Sequence, residues 1–192
     1  MTSIIKIKAG LLFIAFVQLA VASVAQVKYY AKDDLQIVVS GTSTMHDWDM
    51  KTSKGESSAT VTLDASGRLS GLTALNFTVP AETLKSNHKG MDKNAYKALK
   101  TSDHTTISYT LSSATIGADG NIQCLGKLSI AGTTLDADLA ATGKVNADKS
   151  ISVKGSKKIS MKEFNMKPPS FMLGSVTTGN DVTVQFNLTL RK

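Results

Sequence analysis

The 192-residue chain carries 22 lysine and arginine residues against 15 acidic residues, which gives a formal net charge of +7. The basic residues are spread along the chain without an arginine-rich patch interleaved with aromatic rings, so the composition argues against a nucleic-acid-binding protein. Cys124 is the single cysteine, which excludes an internal disulfide bond.

Residues 1–25 predict a signal peptide that is removed on export. Two lysines precede the apolar run 11–17, and Ser23 and Ala25 supply the small side chains of a cleavage site before Gln26. The apolar run is too short for a membrane-spanning helix, which disfavours the alternative of an uncleaved anchor. We therefore expect a periplasmic or secreted protein.

The mature chain, residues 26–192, is long enough for one domain with a sizeable core. Cleavage removes two basic residues and no acidic residue, so the mature net charge is +5. A charge of this size permits weak, transient contact with an anionic membrane surface.

The stretch 37–49 begins with the pattern of a long β-strand. Alternate residues from Ile37 to Met45 share one face. Gly41, in the middle of this run, predicts a sharp bend or the close approach of another backbone, as at the corner of a barrel.

His46, Asp47 and Trp48, the only tryptophan, follow directly. One interpretation is structural: the polar pair satisfies backbone groups where the strand bends, and Trp48 caps the barrel. The alternative is an acid–base pair in a hydrolase that acts on a lipid or an ester. No metal site is predicted, because His88 and His104 are not spaced to share one face with His46.

Most of the mature chain alternates apolar and polar residues with a period of two, which predicts β-strands. Turn sequences such as those at 65–67, 118–121, 131–132 and 146–148 separate the runs, so we predict an antiparallel meander. Cys124 shares the inward parity of its strand and is expected to be a small apolar residue rather than a nucleophile. The clearest alternating runs are 75–79, 107–111, 135–145, 151–161 and 182–190.

These strands predict an all-β fold, an extended antiparallel eight-stranded barrel of the lipocalin-like type. The inward residues mix small side chains with large apolar ones, which favours a hollow barrel over a filled one. A barrel that spans an outer membrane is disfavoured, because aromatic residues make up only 6% of the chain and the last strand does not end in one. The last strand either closes onto the first or pairs with a second copy in a homodimer.

A short helical insertion is predicted at 91–100. Met91, Ala95, Ala98 and Leu99 share one face of this helix, and a lysine stripe occupies another. The stripe is either a solvated face or a lid that meets an anionic head group or a membrane surface. Its members are Lys89, Lys93, Lys97 and Lys100.

The segment 164–174 is rich in apolar residues but contains Pro168 and Pro169, which prevent regular strand pairing. An apolar loop that cannot join the sheet must pack elsewhere. It either plugs one end of the barrel as core or lines the entrance of an apolar cavity.

Four segments in this order resemble the YceI family of lipid- or polyisoprenoid-binding proteins. They are GTSTMHDW (41–48), MDKNAYKALK (91–100), ISYTL (107–111) and FNMKPPSFMLGSVTTGNDVTVQFNLTL (164–190). The resemblance implies a lipocalin-like barrel without known catalytic residues and without a cofactor. It also implies an exported carrier, store or sensor whose ligand is a polyisoprenoid, an isoprenoid quinone or another long amphiphile.

By this resemblance, the ligand pocket would be lined by apolar residues of the inward parity. The expected lining residues are Val39, Met45, Leu75, Phe77, Ile107, Tyr109, Phe164, Phe171, Val184, Phe186 and Leu188. Lys89, Lys93 and Lys97 are the expected lid or head-group residues. Two alternatives remain open at this point, the hydrolase built on His46 and Asp47 and a basic module that binds a protein or a membrane.

Overall fold

The structure, a computed structural model, describes residues 26–192, so the predicted signal peptide lies outside the described residues. Within them the chain forms eleven β-strands and one α-helix. The helix is α1 (Lys89–Leu99), and a 3-10 turn, Ala81–Thr83, precedes it. The strands are β1 (Gln26–Lys32), β2 (Leu35–Ser43), β3 (Trp48–Thr52), β4 (Glu56–Leu63), β5 (Leu69–Pro80), β6 (Thr106–Ile116), β7 (Asn121–Ile130), β8 (Thr133–Val145), β9 (Ile151–Ser160), β10 (Ser170–Phe171) and β11 (Val176–Leu190).

Ten of the strands form one antiparallel sheet in the order β1-β4-β5-β6-β7-β8-β9-β11-β2-β3, while the two-residue strand β10 pairs only with β11. β1 continues into β2, and β3 continues into β4, so these four strands are two long strands that each turn a corner. The two long strands pair with each other on both sides of the corner. Because β11 pairs with β2 as well as with β9, the sheet closes on itself. The predicted eight-stranded, lipocalin-like barrel is confirmed.

The pairing of β11, the last strand, decides between closure within the chain and pairing with a second copy. Both of its edges are hydrogen-bonded within the chain, and Arg191 extends the closure by a bridge to Tyr30. The last strand therefore closes onto the first, as one of the two alternatives predicted. The possible homodimer itself stays a prediction.

The corner lies at Asp33 and Gly55 rather than at Gly41, where the sequence predicted it. The backbone N–H of Asp33 donates to the Gly55 carbonyl at 3.0 Å, and the Gly55 N–H donates to the Asp33 carboxylate at 3.3 Å. Gly55 has a φ of 152°, and a β-carbon there would lie 2.7 Å from the Thr78 carbonyl oxygen. Glycine is needed at 55 because neither that conformation nor that space suits a side chain.

The two ends of the barrel differ in their connections. One end, the base, carries the short turns 64–68, 117–120 and 146–150 together with the carboxyl end of β11. The other end, the mouth, carries the hairpin turn 44–47, the insertion 81–105 that contains α1, the turn 131–132 and the loop 161–175. All three stretches that the sequence analysis identified as irregular, around His46, in the helix and around the two prolines, therefore meet at the mouth.

Buried side chains close the base. Tyr29, Leu35 and Ile151 are fully buried there, in one cluster with Leu188 and Leu190. The Tyr29 hydroxyl donates to the backbone oxygen of Lys149 at 3.1 Å, which ties the first strand to the 146–150 turn. Among residues 26–192, no helix is both long and apolar enough to cross a bilayer.

Aspartate side chains hold the three turns of the base, which confirms the predicted turn positions. The Asp64 carboxylate accepts from the backbone N–H groups of Ser66 and Arg68, both at 2.9 Å. Asp119 and Asp148 accept in the same way from the N–H two residues further on. Hydrogen bonds from the Ser66 hydroxyl and the Arg68 backbone hold the pKa of Asp64 far below its usual range.

The replacement Asp64→Asn tests this contribution through its pH dependence. A carboxylate whose pKa is lowered by folding stabilises the fold fully above the unfolded pKa of about 3.9, and the contribution fades as the pH falls below it. We expect the variant to unfold at a lower urea concentration than the original chain at pH 7 and to approach it as the pH falls below about 4. Asp103→Asn, at an exposed aspartate, is the control. An equal loss of stability in Asp64→Asn at pH 7 and at pH 3 would contradict a stabilising role of the charged Asp64 carboxylate.

Candidate ligand-binding cavity

The barrel encloses a cavity of about 470 Å³ between the base and the mouth. Side chains from most of the strands, from α1 and from the 161–175 loop line it, and nearly all of them are apolar. Cavities of roughly 300–1,000 Å³ with apolar walls are typical of small-molecule sites. The hollow alternative predicted from the mixed inward residues is therefore the one observed.

Ten of the eleven residues expected in the pocket line this cavity. They are Val39, Met45, Leu75, Phe77, Ile107, Tyr109, Phe171, Val184, Phe186 and Leu188. Met45 does so at the mouth, where 67% of the residue remains exposed. Their contact with a ligand stays a prediction.

Phe164 is the exception, because it does not lie on the cavity wall. It sits in a tight turn after β9, in which its N–H donates to the carbonyl of Met161 at 3.2 Å. Its side chain is buried in the hydrophobic core together with Ile130, Met161 and Met166. The inward parity of a strand does not extend into a turn, so the expectation for Phe164 was wrong.

Glycines on the wall make room for the aromatic rings. A β-carbon at Gly126 would lie 2.6 Å from the Tyr109 ring, and one at Gly155 would lie 2.6 Å from the Phe186 ring. Each ring therefore lies against the backbone of the neighbouring strand instead of pointing at the barrel axis. This arrangement explains why large inward residues leave a cavity.

Trp48 has the same relation to Gly41 at the mouth. The two residues are paired across β2 and β3, and a β-carbon on Gly41 would lie 2.3 Å from the indole ring. The indole N–H donates to the carbonyl of Thr42 at 3.0 Å. The close approach predicted at Gly41 exists, but the group that approaches is a side chain.

The helix α1 covers the mouth with its apolar face. Met91, Ala95, Ala98 and Leu99 line the cavity, as the sequence pattern predicted for one face. Lys89, Lys93 and Lys97 are exposed on the opposite side and do not line the cavity. They are therefore placed to meet something outside the barrel rather than a ligand within it.

Hydrogen bonds tie α1 to the segment that precedes it. The Tyr96 hydroxyl lies within hydrogen-bond distance of the carbonyls of Glu82 and Leu84, at 2.9 and 2.8 Å. The buried Asp92 accepts from the backbone N–H and the hydroxyl of Ser86, both at 2.7 Å. Burial raises the pKa of Asp92, but the two Ser86 bonds outweigh it, and the net shift is downward.

His46 and Asp47 form no acid–base pair. Both lie in the hairpin turn between β2 and β3, and His46 Nδ1 is 2.7 Å from the backbone oxygen of Asp47 instead of from its carboxylate. The Ser43 hydroxyl accepts from the N–H groups of Met45 and His46 and fixes the turn. Within residues 26–192, no three potential metal-ligating side chains converge.

Both alternatives for the proline-containing loop are realised in one segment. Phe164 is core, whereas Met166, Pro169 and Phe171 line the cavity near the mouth. The flexible thioether of Met166 and the rings of Pro169 and Phe171 form an apolar surface at this end of the barrel.

The expected pocket residues did not include Lys157, nor the other polar residues and several apolar residues that line the cavity. Lys157 lines the cavity although its neighbours on the inward face of β9 are apolar. Cys124 is buried on the wall, as expected for a small inward residue, and burial raises the pKa of its thiol. Burial also raises the pKa of Tyr109 to about 12. Inward parity was the signal that could have identified Ile122, Cys124, Leu139, Ala141, Val153 and Lys157.

The comparisons with known proteins agree with this geometry. The sequence model of a family described as YceI-like domain matches residues 22–190. Comparison with curated proteins gives no match.

Solved structures share the fold at low sequence identity. BcnA of Burkholderia cenocepacia is 14% identical with a TM-score of 0.66, covering 81% of this chain and 95% of BcnA. A polyisoprenoid binding domain from Saccharophagus degradans is 10% identical with a TM-score of 0.63, covering 85% and 97%. A YceI protein of Campylobacter jejuni is 16% identical with a TM-score of 0.55, covering 71% and 81%. At these identities the likeness concerns the fold alone.

The contact between Gly41 and the indole ring can be tested by Gly41→Ala. The new methyl group must displace Trp48, so we expect a red-shifted tryptophan emission and a loss of about 1–3 kcal/mol in the free energy of unfolding. Gly90→Ala, where a β-carbon meets nothing within 4 Å, should leave the emission unchanged. An unshifted emission in Gly41→Ala would contradict this packing.

Proposed function

This chain belongs to the YceI-like family, and from that premise we propose that it binds one long lipophilic molecule inside the barrel. The molecule would be a polyisoprenoid, an isoprenoid quinone or another amphiphile with a long apolar chain. The protein shields this chain from water as a carrier, store or sensor and performs no catalysis on it.

The single observation that carries the proposal is the continuous apolar cavity, closed at the base by buried side chains and covered at the mouth by α1. Burying aliphatic carbon contributes about 0.8 kcal/mol per methylene, so three or four isoprene units offer roughly 12–16 kcal/mol before the costs of association. The tail alone is sufficient for stable binding.

The structural neighbours support an isoprenoid tail in particular. The Saccharophagus degradans domain is described as polyisoprenoid binding, and it has the same fold. The position of His46 supports the absence of catalysis, since its ring contacts a backbone oxygen and no carboxylate. Export through the predicted signal peptide would place the protein in the periplasm or outside the cell, where a lipophilic molecule needs a carrier to cross water.

The test is native mass spectrometry of the protein expressed from its full chain in its own cells, followed by solvent extraction. We expect one lipophilic molecule per chain. Val184→Trp places a large ring in the cavity and should reduce the bound fraction several-fold, because the tail and the ring compete for the same space. Gln185→Trp places the same ring on the exposed outer face of β11 and is the matched control.

Two outcomes would count against this proposal. Equal retention of ligand in Val184→Trp and Gln185→Trp, with both variants folded, would show that the molecule binds elsewhere. A bare chain that takes up no offered lipid would overturn the proposal.

Transient contact between the mouth and a membrane surface is a second candidate function, favoured by a specific group of exposed residues. Leu173 is fully exposed and Met45 largely exposed, both at the mouth. Lys89, Lys93 and Lys97 are exposed on the helix that covers the same end. Apolar side chains next to lysines suit an anionic bilayer, which accepts the first and attracts the second.

Co-sedimentation with vesicles of phosphatidylcholine and phosphatidylglycerol in equal amounts tests this contact. We expect Leu173→Asp to reduce binding several-fold, because it places a charge at the membrane interface. Leu125→Asp, at a leucine that is 59% exposed on the barrel wall, should bind as the original chain does. The triple reversal of Lys89, Lys93 and Lys97 to Glu should abolish binding. Binding that is insensitive to these lysines and to Leu173 would exclude the mouth.

A further inference from the structure

Lys157 is the one Lys, Arg, Asp or Glu among the described residues that line the cavity. It lies on the inward face of β9, between Gly155 and Ile159. A cation is expensive next to an apolar cavity unless it is paired or reaches water. Its position on the wall therefore requires an explanation in terms of a partner or a route to water.

The explanation begins with a gap in the barrel wall. β8 and β9 are paired only from Val145–Ile151 to Ala140–Ser156. Towards the mouth, β8 extends seven residues further, 133–139, and β9 extends four further, 157–160, without pairing to each other. The two strands diverge, which leaves a wedge in the wall between them.

The wide end of the wedge is covered by the loop after β9. The Asn165 side chain donates to the hydroxyl of Thr133, at the start of β8, at 3.2 Å. Between this contact and the last paired residues, Ala140 and Ser156, a window remains. We call this part of the wall, at 137–139 and 157–159, the side window.

Lys157 spans the side window from the cavity to the outer surface. Its Nζ lies 2.7 Å from Oδ1 of Asp138, whose side chain is 74% exposed, while the Lys157 side chain is only 25% exposed. The hydrogen bond from Lys157 holds the pKa of Asp138 below its usual range. The pair thus links the two strands where the backbone ladder has ended.

A second donor lies next to the neighbouring residue of β8. The Tyr109 hydroxyl is 3.4 Å from the backbone oxygen of Ala137, the residue next to Asp138, which is a long and weak hydrogen bond. With a pKa of about 12, Tyr109 keeps its proton at neutral pH and can donate. Both Lys157 and Tyr109 line the cavity, so two donors face one side of a mostly apolar wall.

We propose that the side window binds the head group of the ligand, and that this head group is anionic, a phosphate or a carboxylate. The inference rests on the proposed function, since it requires an apolar tail in the cavity. A charged head group within the cavity would lose its hydration without compensation. At the side window it meets the Lys157 ammonium and the Tyr109 hydroxyl, and it stays in contact with water.

Asp138 competes with the head group for Lys157. Without ligand it neutralises Lys157, and an incoming anionic head group competes with it for the same ammonium. Charge-assisted hydrogen bonds to phosphate and carboxylate are stronger than neutral ones, so an anionic head group competes where an alcohol does not. The side window therefore selects for head-group charge, whereas the cavity selects for the tail.

Farnesyl phosphate and farnesol are suitable probes, because they share one tail and differ in charge. The protein, expressed as the full chain and stripped of lipid, is titrated with each. We expect the phosphate to bind about tenfold more tightly than the alcohol. Lys157→Met should remove this preference, and Lys157→Arg should restore it.

Two further variants complete the design. Lys158→Met is the matched control, because Lys158 is the next residue of β9, is exposed and is also paired with an aspartate at 2.7 Å. Lys158→Met should keep the preference for farnesyl phosphate over farnesol. Asp138→Asn removes the competitor and should strengthen phosphate binding several-fold, an effect opposite in sign to that of any loss of folding.

The results distinguish this inference from the function on which it rests. If both probes bind equally well, or if Lys157→Met keeps the preference, Lys157 is only a link between β8 and β9, and the side window is no head-group site. In that case binding of both probes still supports the lipid-binding function. If neither probe binds, the lipid-binding function itself is excluded for chains of this length, and the side window with it.

Discussion

Space along the barrel axis is the constraint on which the rest of the structure depends. Eight strands enclose an interior that ordinary side chains can just fill. It stays open here because the rings of Trp48, Tyr109 and Phe186 each occupy the space next to a glycine of the neighbouring strand. The aromatic residues thus contribute buried area along the wall and leave the axis free.

The two ends of the barrel differ in how they are built. The base has short turns held by their own aspartates and a fully buried Tyr29, which fits an end that stays closed. The mouth carries the longer irregular segments of residues 26–192, among them the helix and the proline-containing loop.

The alternation of apolar and polar residues predicted the barrel and most of its lining. On a closed sheet every second residue of a strand faces the cavity. Phe164 was misplaced because it lies in a turn, where parity has no meaning. The corner at Asp33 was missed because both long strands keep their pairing across it, so the alternation continues on each side. The role of Lys157 depends on where β8 and β9 stop pairing, and that is a relation between strands which no single stretch of sequence contains.

The way in which α1 is attached has a consequence for the kinetics of ligand exchange. The side-chain hydrogen bonds of α1 described here go to the segment just before it or stay within the helix, whereas its contacts with the cavity are apolar. Swinging the helix aside therefore breaks few hydrogen bonds and exposes mainly hydrocarbon. In water that exposure is a barrier to release, but against a bilayer the same surface stays covered. Under the proposed membrane contact, this attachment of α1 would make ligand exchange slow in water and fast at a bilayer.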